Sequence, residues 1–148
     1  MNEIEFVFSN SQISSEDLKN LEIKLEAEME NMKEAITKGY DDDRASINLP
    51  DDKDNLEKVK SLIDKKLEFN PKYLIIIGIG GSNLGTIAVQ EAVLGKLYNQ
   101  INPSIKILYA DTVDSDLIHD IISIIEPELI NGENVIINGI SKSGGTTE

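Results

Sequence analysis

The sequence predicts an α/β fold: a helical N-terminal segment followed by a partial, doubly wound parallel sheet. Two observations carry this prediction. From residue 72 onward, three short apolar runs alternate with longer helical patterns, an order typical of parallel sheets with helices on both faces. Before residue 72, most apolar residues instead recur at helical spacing. We therefore divide the chain into a helical segment, residues 1–71, and a truncated sheet domain, residues 72–148.

Composition narrows the possible functions. The chain has 148 residues, no cysteine and a formal net charge of −13, so we expect neither disulfides nor nucleic-acid binding. No apolar run approaches the ~20 residues of a membrane helix. The acidic N-terminus lacks the basic start and apolar centre of a signal peptide. We therefore expect a cytoplasmic protein that binds no membrane.

The helical segment opens with alternating Ile4, Phe6 and Phe8, a pattern that fits a short edge strand. Ser14 or Ser15 is predicted to cap the first helix, which should end at Gly39. Its apolar stripe comprises Leu18, Leu21, Leu25, Met29, Met32 and Ile36. Its opposite, solvated face carries Glu22, Glu26, Glu28, Glu30 and Glu34.

A linker is predicted at residues 40–50, and Pro50 is expected to stop any element that precedes it. Its three consecutive aspartates, residues 41–43, lack the alternate spacing of a calcium loop, so we interpret them as a solvated turn. The next helix should begin in the cluster Asp51–Asp54 and end at Asn70-Pro71. Its stripe, predicted to be buried, is Leu56, Val59, Ile63 and Leu67.

The sheet domain is predicted as strand, helix, strand, helix, strand. The strands should span residues 73–77, 105–110 and 135–140. The intervening helices should span residues 83–98 and from Asp114 or Ser115 to about Glu126, where Pro127 should end the helix. Right-handed crossovers then place the turns after the first and third strands at the carboxyl edge of the sheet, where such folds bind ligands.

Both of these turns are rich in glycine and hydroxyl residues: Gly78-Ile-Gly-Gly-Ser-Asn-Leu-Gly85 and Ser141-Lys-Ser-Gly-Gly-Thr-Thr-Glu148. Ser82 is predicted to cap the helix after the first turn, and Thr146 to open a helix after the second. Free N–H groups at helix starts attract anions. The pair therefore predicts one polyanionic ligand held from two sides, although either turn alone is compatible with a plain strand-to-helix connection.

The first turn can be compared with three kinds of phosphate site. A dinucleotide motif needs glycine at position 83, where this chain has Asn83, and Asp111 lies too far along to serve as its ribose-binding acid. A nucleotide P-loop needs lysine where Thr86 stands. A sugar-phosphate site has neither requirement, and the second turn favours it.

The two turns resemble two motifs of the glucose-6-phosphate isomerase family, which has a sugar-isomerase (SIS) domain. The resemblance covers essentially all of this chain, but it covers only about the first third of a typical member of the family. It implies an aldose–ketose isomerase that interconverts glucose 6-phosphate and fructose 6-phosphate. Such an enzyme is usually dimeric, cytoplasmic and free of metal or other cofactors.

By resemblance, four hydroxyl side chains would hold the substrate phosphate: Ser82, Ser141, Ser143 and Thr146. Backbone N–H groups around Lys142 and Ser143 would add donors, and Gly80 and Gly81 would lie against the sugar. Neutral donors of this kind can hold a dianion without a buried lysine.

The catalytic groups implied by the resemblance are not found in this chain. No Gly-Gly-Arg motif occurs, and the only arginine, Arg44, lies in the acidic linker. The only histidine, His119, has no evident catalytic partner. By resemblance, Glu148 matches an acidic position just after the phosphate loop, and we do not assign it as the base. We therefore expect an N-terminal piece of a longer isomerase that is inactive by itself. The alternative is a non-catalytic SIS module that binds sugar phosphates, such as a sensor domain.

Overall fold

The computed structural model describes residue 7 and residues 10–145. The edge strand expected at residues 4–8 and the helix expected from Thr146 therefore lie outside the described residues. Contacts divide the chain into two compact units, Met1–Lys58 and Val59–Glu148. The domain boundary inferred from the sequence, between residues 71 and 72, stays a prediction.

The first helix, α1 (Ser15–Thr37), begins at the expected serine. Ser14 Oγ accepts a hydrogen bond from the Asp17 amide at 3.1 Å, and the Asp17 carboxylate accepts one from the Ser14 amide at 3.1 Å. This reciprocal pair is a capping box, which satisfies two donors at the helix start. Gly39 follows the helix with a φ of +63°. Both predicted ends of the helix are confirmed within two residues.

The predicted linker contains structure that the sequence did not reveal. Residues Ala45–Asp51 form a 3₁₀ helix with Pro50 inside it, so the prediction that Pro50 stops any earlier element was wrong. Asn48 Nδ2 donates to the Gly39 carbonyl at 2.7 Å, a contact that local propensity does not register. Arg44 is held by two hydrogen bonds to the Glu28 carboxylate, which lower the pKa of Glu28 to about 2.

The second helix, α2 (Lys53–Leu67), begins in the predicted acidic cluster. Its apolar stripe, expected to be buried, is instead exposed: 53% for Leu56, 47% for Val59, 50% for Ile63 and 45% for Leu67. Periodicity fixes which residues share a helix face, but it does not say whether another element covers that face.

Three parallel strands form the sheet of the second unit: β1 (Pro71–Ile77), β2 (Lys106–Ala110) and β3 (Asn134–Gly139). Their order is β2-β1-β3, so β1 pairs with both neighbours. Ile77 is aligned with Ala110 on one side and with Gly139 on the other. The strands therefore end at the same level, and the predicted α/β class with a parallel sheet is confirmed.

Two helices flank this sheet on opposite faces, α3 (Leu84–Leu94) and α4 (Ser115–Ile130). Ile75 packs in the core with Ala110 and with Ile121 of α4. The alternate residues of β1, Leu74 and Ile76, instead line a groove beside α3. The groove stays open, because Val89 and Val93 of α3 are 65% and 74% exposed.

Both helices differ in length from the prediction. α4 continues through Pro127 to Ile130 instead of ending at Glu126. Proline removes one helix hydrogen bond, but Glu128, the residue directly after Pro127, pairs with Lys72 at 2.6 Å and anchors the end of the helix to the sheet. α3 ends at Leu94, four residues earlier than predicted, and Gly95 follows it with a φ of +87°. Among the helices within the described ranges, none combines the length and hydropathy that a membrane crossing requires.

Candidate anion-binding site

The predicted site residues lie on two loops at one edge of the sheet. We call residues 78–83 the first loop and residues 140–145 the second loop. They follow β1 and β3, which are hydrogen-bonded neighbours that end at the same level. The Ile140 amide donates to the Ile77 carbonyl at 2.8 Å, so the pairing of the strands extends into the start of the second loop.

Gly78 is the point where the two loops meet. A β-carbon at this position would lie 2.9 Å from Ser82 Cβ and 3.0 Å from the Ile140 carbonyl oxygen. The first distance is shorter than real β-carbons show and the second is tighter than most, so a side chain at position 78 would force Ser82 or the second loop to shift. Close packing between the two loops therefore favours glycine at this position. Ser82 and the start of the second loop therefore lie at the same end of the sheet.

The remaining glycines of the first loop differ in their roles. Gly80 has a φ of +56°, a left-handed conformation that glycine adopts without cost. Gly81 has no positive φ, and no atom lies within 4 Å of the place where its β-carbon would be. Nothing within the described chain requires glycine at position 81, so the missing side chain serves to leave the backbone open to approach from solvent.

The prediction that Ser82 caps the following helix was wrong. Ser82 is half-buried in a 3₁₀ turn, Gly80–Ser82, and Asn83 is the N-cap of α3. The Asn83 side chain does not cap either: it is fully buried and its Nδ2 donates to the Gly78 carbonyl. That carbonyl, at the end of β1, offers a buried acceptor that competes with the helix start. Asn83 entered the sequence argument only as a mismatch to a dinucleotide motif.

The start of α3 consequently presents unused donors. The first internal bond of the helix runs from the Ile87 amide to the Asn83 carbonyl at 2.9 Å. None of the described residues accepts a hydrogen bond from the amides of Leu84, Gly85 or Thr86. Such groups, together with the helix dipole, give the N-terminus a partial positive charge.

The second loop is organised by its own serines. Ser141 Oγ accepts a hydrogen bond from the Gly144 amide at 3.0 Å, and Ser143 Oγ accepts one from the Gly145 amide at 3.2 Å. The Ser143 hydroxyl, which accepts this bond, keeps its own hydrogen to donate. Lys142 is exposed on the same loop, whereas Thr146 lies outside the described residues. The described members of the predicted phosphate set therefore share one edge of the sheet.

Other concave surfaces of the second unit are less suited to an anion. The groove beside α3 is lined mainly by apolar side chains, such as Leu74 and Val93, and offers few donors. Another groove, beside the start of α4, contains exposed His119 together with the carboxylate of Asp114. Within the described residues, no group of three or more potential metal ligands comes together.

No protein-family model matches this chain, and no solved structure does. Curated proteins do match. Over about two thirds of its length, this chain is similar to glucose-6-phosphate isomerases. The family resemblance predicted from the two loop motifs is therefore confirmed.

Three of these isomerases show the extent of the similarity. The chain is 38% identical over 95 residues to a probable glucose-6-phosphate isomerase of Methanococcus maripaludis, covering 64% of this chain and 20% of that protein. It is 35% identical over 109 residues to the enzyme of Listeria monocytogenes, covering 69% and 23%. For the enzyme of Carboxydothermus hydrogenoformans, the identity is 35% over 81 residues, covering 52% and 16%. The matched region thus spans about a fifth of the length of these isomerases.

Proposed function

We propose that this chain is part of a cytoplasmic glucose-6-phosphate isomerase and that its two loops hold the phosphate of a hexose 6-phosphate. The observation that supports the proposal best is the contact at Gly78, where Ser82 and the Ile140 carbonyl approach the same point. A phosphate between the loops would receive donors from both.

The available donors suit a phosphate dianion. The hydroxyls of Ser82 and Ser143 and the amides at the start of α3 lie at one edge of the sheet. They can serve as donors to the phosphate without a buried cation. Hydrogen bonds to a charged group are worth about 1.5–3 kcal/mol each. Exposed acidic residues beyond ~8 Å are largely screened by salt, so the net charge of −13 does not prevent local capture.

Binding the phosphate is only one part of an isomerisation. Transfer of a proton between C1 and C2 also needs a base, a group that stabilises the enediolate and a group that opens the ring. Arg44 cannot supply the positive charge, because it is held by Glu28 and Asp42 in the first unit. We propose that this chain contributes substrate positioning and that other residues of a dimeric, cofactor-free enzyme perform the chemistry.

The proposal can be tested by titrating the purified chain with glucose 6-phosphate, inorganic phosphate and glucose while following backbone amide signals by NMR. We expect the two phosphates to shift the same amides of both loops and to compete, and glucose to shift none. Ser82→Ala should weaken phosphate binding. Ser123→Ala is the matched control, because Ser123 donates to the His119 carbonyl on α4, away from both loops. Absence of phosphate binding by the unmodified chain would refute the proposal.

A coupled isomerase assay tests the division of labour. We expect the chain by itself to show no turnover of glucose 6-phosphate, since the base, the stabilising cation and the ring-opening group have no candidates among the described residues of the site. Measurable turnover would contradict this division of labour.

A further inference from the structure

We infer that Asn83 is a positioning residue for the phosphate site, because its side chain holds the Gly78 carbonyl instead of capping α3 and so leaves the first amides of the helix available to the ligand. The inference rests on the proposed function and extends it to a residue that makes no contact with the phosphate itself.

The environment of Asn83 is unusual for an N-cap residue. Among the described residues, its side chain is the only large one that is fully buried. Nδ2 donates to the Gly78 carbonyl, while Oδ1 has no hydrogen-bond partner. The amide orientation is fixed by this contact, since a flipped amide would place two oxygens against each other.

Asn83 Oδ1 and the helix amides that it would normally cap are thus kept apart at the start of α3. Asparagine is among the best N-cap residues because its Oδ1 accepts from the second or third amide of the helix. At α3 these are the amides of Gly85 and Thr86, and neither has a partner among the described residues. A buried acceptor left unpaired has a free-energy cost, and here that cost falls on Asn83 Oδ1. The amides of Gly85 and Thr86 belong to exposed residues and stay open to a ligand.

Two other α-helices show the ordinary arrangement. Ser14 accepts from the Asp17 amide at the start of α1, and Asp114 accepts from the Asp116 amide at the start of α4. Among the three α-helices of the described residues with an assigned N-cap residue, α3 is the one whose N-cap side chain makes no capping bond. The exception coincides with the proposed phosphate site.

Two further features make the start of α3 accessible to an oxyanion. Gly85 has no side chain, and no atom lies within 4 Å of the place where its β-carbon would be. Asn83 also holds the carbonyl of Gly78, the residue that separates Ser82 from the second loop. The same hydrogen bond therefore keeps the helix amides free and fixes the position of the glycine turn between the two loops.

The test uses the whole chain and inorganic phosphate as the probe, with affinity measured by NMR titration and stability by urea unfolding. Asn83→Ser replaces the side chain by one that can cap α3 but is too short to hold Gly78. We expect about a tenfold or greater loss of phosphate affinity, the equivalent of one hydrogen bond to a charged group. Asn83→Ala should lose a similar amount, with lower stability.

The matched control is Asn99→Ala. The Asn99 side chain also holds a strand, donating to the Ile107 carbonyl at 2.7 Å and accepting from the Ile107 amide at 2.9 Å, but it lies near the opposite end of β2. We expect this variant to lose stability and to bind phosphate like the unmodified chain.

The outcomes separate the two proposals. If the unmodified chain binds phosphate and Asn83→Ser binds it equally well, the inference is wrong while the proposed function stands. If the unmodified chain binds no phosphate, the proposed function fails. Should both Asn83 variants fail to fold, the unmodified chain decides: phosphate that shifts the second loop but not the amides of Gly85 and Thr86 overturns the inference.

Discussion

The two ends of the sheet in the second unit are built in opposite ways. At the amino end, Lys72 pairs with Glu128 at 2.6 Å, and Asn99 satisfies both the amide and the carbonyl of Ile107. At the carboxyl end, Asn83 Oδ1 is buried without a partner, and the first amides of α3 have no acceptor among the described residues.

This difference indicates where the sheet is stabilised and where it is kept ready for a ligand. Side chains at the amino end close hydrogen bonds within the chain, which contributes to folding. The carboxyl end keeps donors that the described chain does not use, and the buried, unpaired Asn83 Oδ1 costs about 1–3 kcal/mol. Changes at the two ends should therefore affect stability and phosphate binding to different degrees.

The largest effect is expected for Gly78→Ala. The added β-carbon would collide with Ser82 Cβ and with the Ile140 carbonyl, and such overpacking typically costs about 1–3 kcal/mol. We expect urea unfolding to show this loss and phosphate binding to fall as the loops separate. Gly81→Ala is the control: its added methyl group meets no neighbour, so stability should hardly change. Equal stability of the two variants would contradict the packing argument.

A smaller effect, confined to binding, is expected for Ser143→Ala in the second loop. The variant removes one hydroxyl donor from the proposed site, which should reduce phosphate affinity about tenfold. Stability should change little, because the bond that Ser143 accepts from the Gly145 amide is exposed. Ser143→Thr keeps a hydroxyl and should restore much of the affinity in the same NMR titration. Unchanged affinity in Ser143→Ala would exclude this hydroxyl from the site.

The smallest effect is expected at the amino end, for Lys72→Met. The hydrogen bond to Glu128 raises the pKa of Lys72 above its usual value of 10.5. A raised pKa means that the pair stabilises the fold fully below pH 10.5 and that this contribution is lost as the pH rises through the higher, folded-state pKa. Urea unfolding from pH 9 to 12 should show the loss in the unmodified chain and less of it in Lys72→Met. Phosphate binding at neutral pH should be unchanged; weaker binding would show that the two ends are coupled.

Much of the fold followed from local signals in the sequence. The candidate cap at Ser14 or Ser15 located the start of α1, and three apolar runs gave strands whose ends agree with the prediction within two residues. The alternation of strand and helix also placed both glycine-rich loops at one edge, because parallel strands joined by right-handed crossovers end on the same side. The resemblance to the isomerases rested on those same loops.

What the sequence by itself determined were features controlled by neighbouring residues: where elements begin, which residues share a face, and which turns carry hydroxyls and glycines. Only the tertiary structure decided that α4 passes through Pro127, that the stripe of α2 stays exposed and that Asn83 turns inward to Gly78. The course of α4 depends on a partner distant in the sequence, and the exposure of the α2 stripe on the lack of one. The orientation of Asn83 depends on two partners that compete for one side chain. Local propensities differ by less than the hydrogen bonds and contacts that settle such choices.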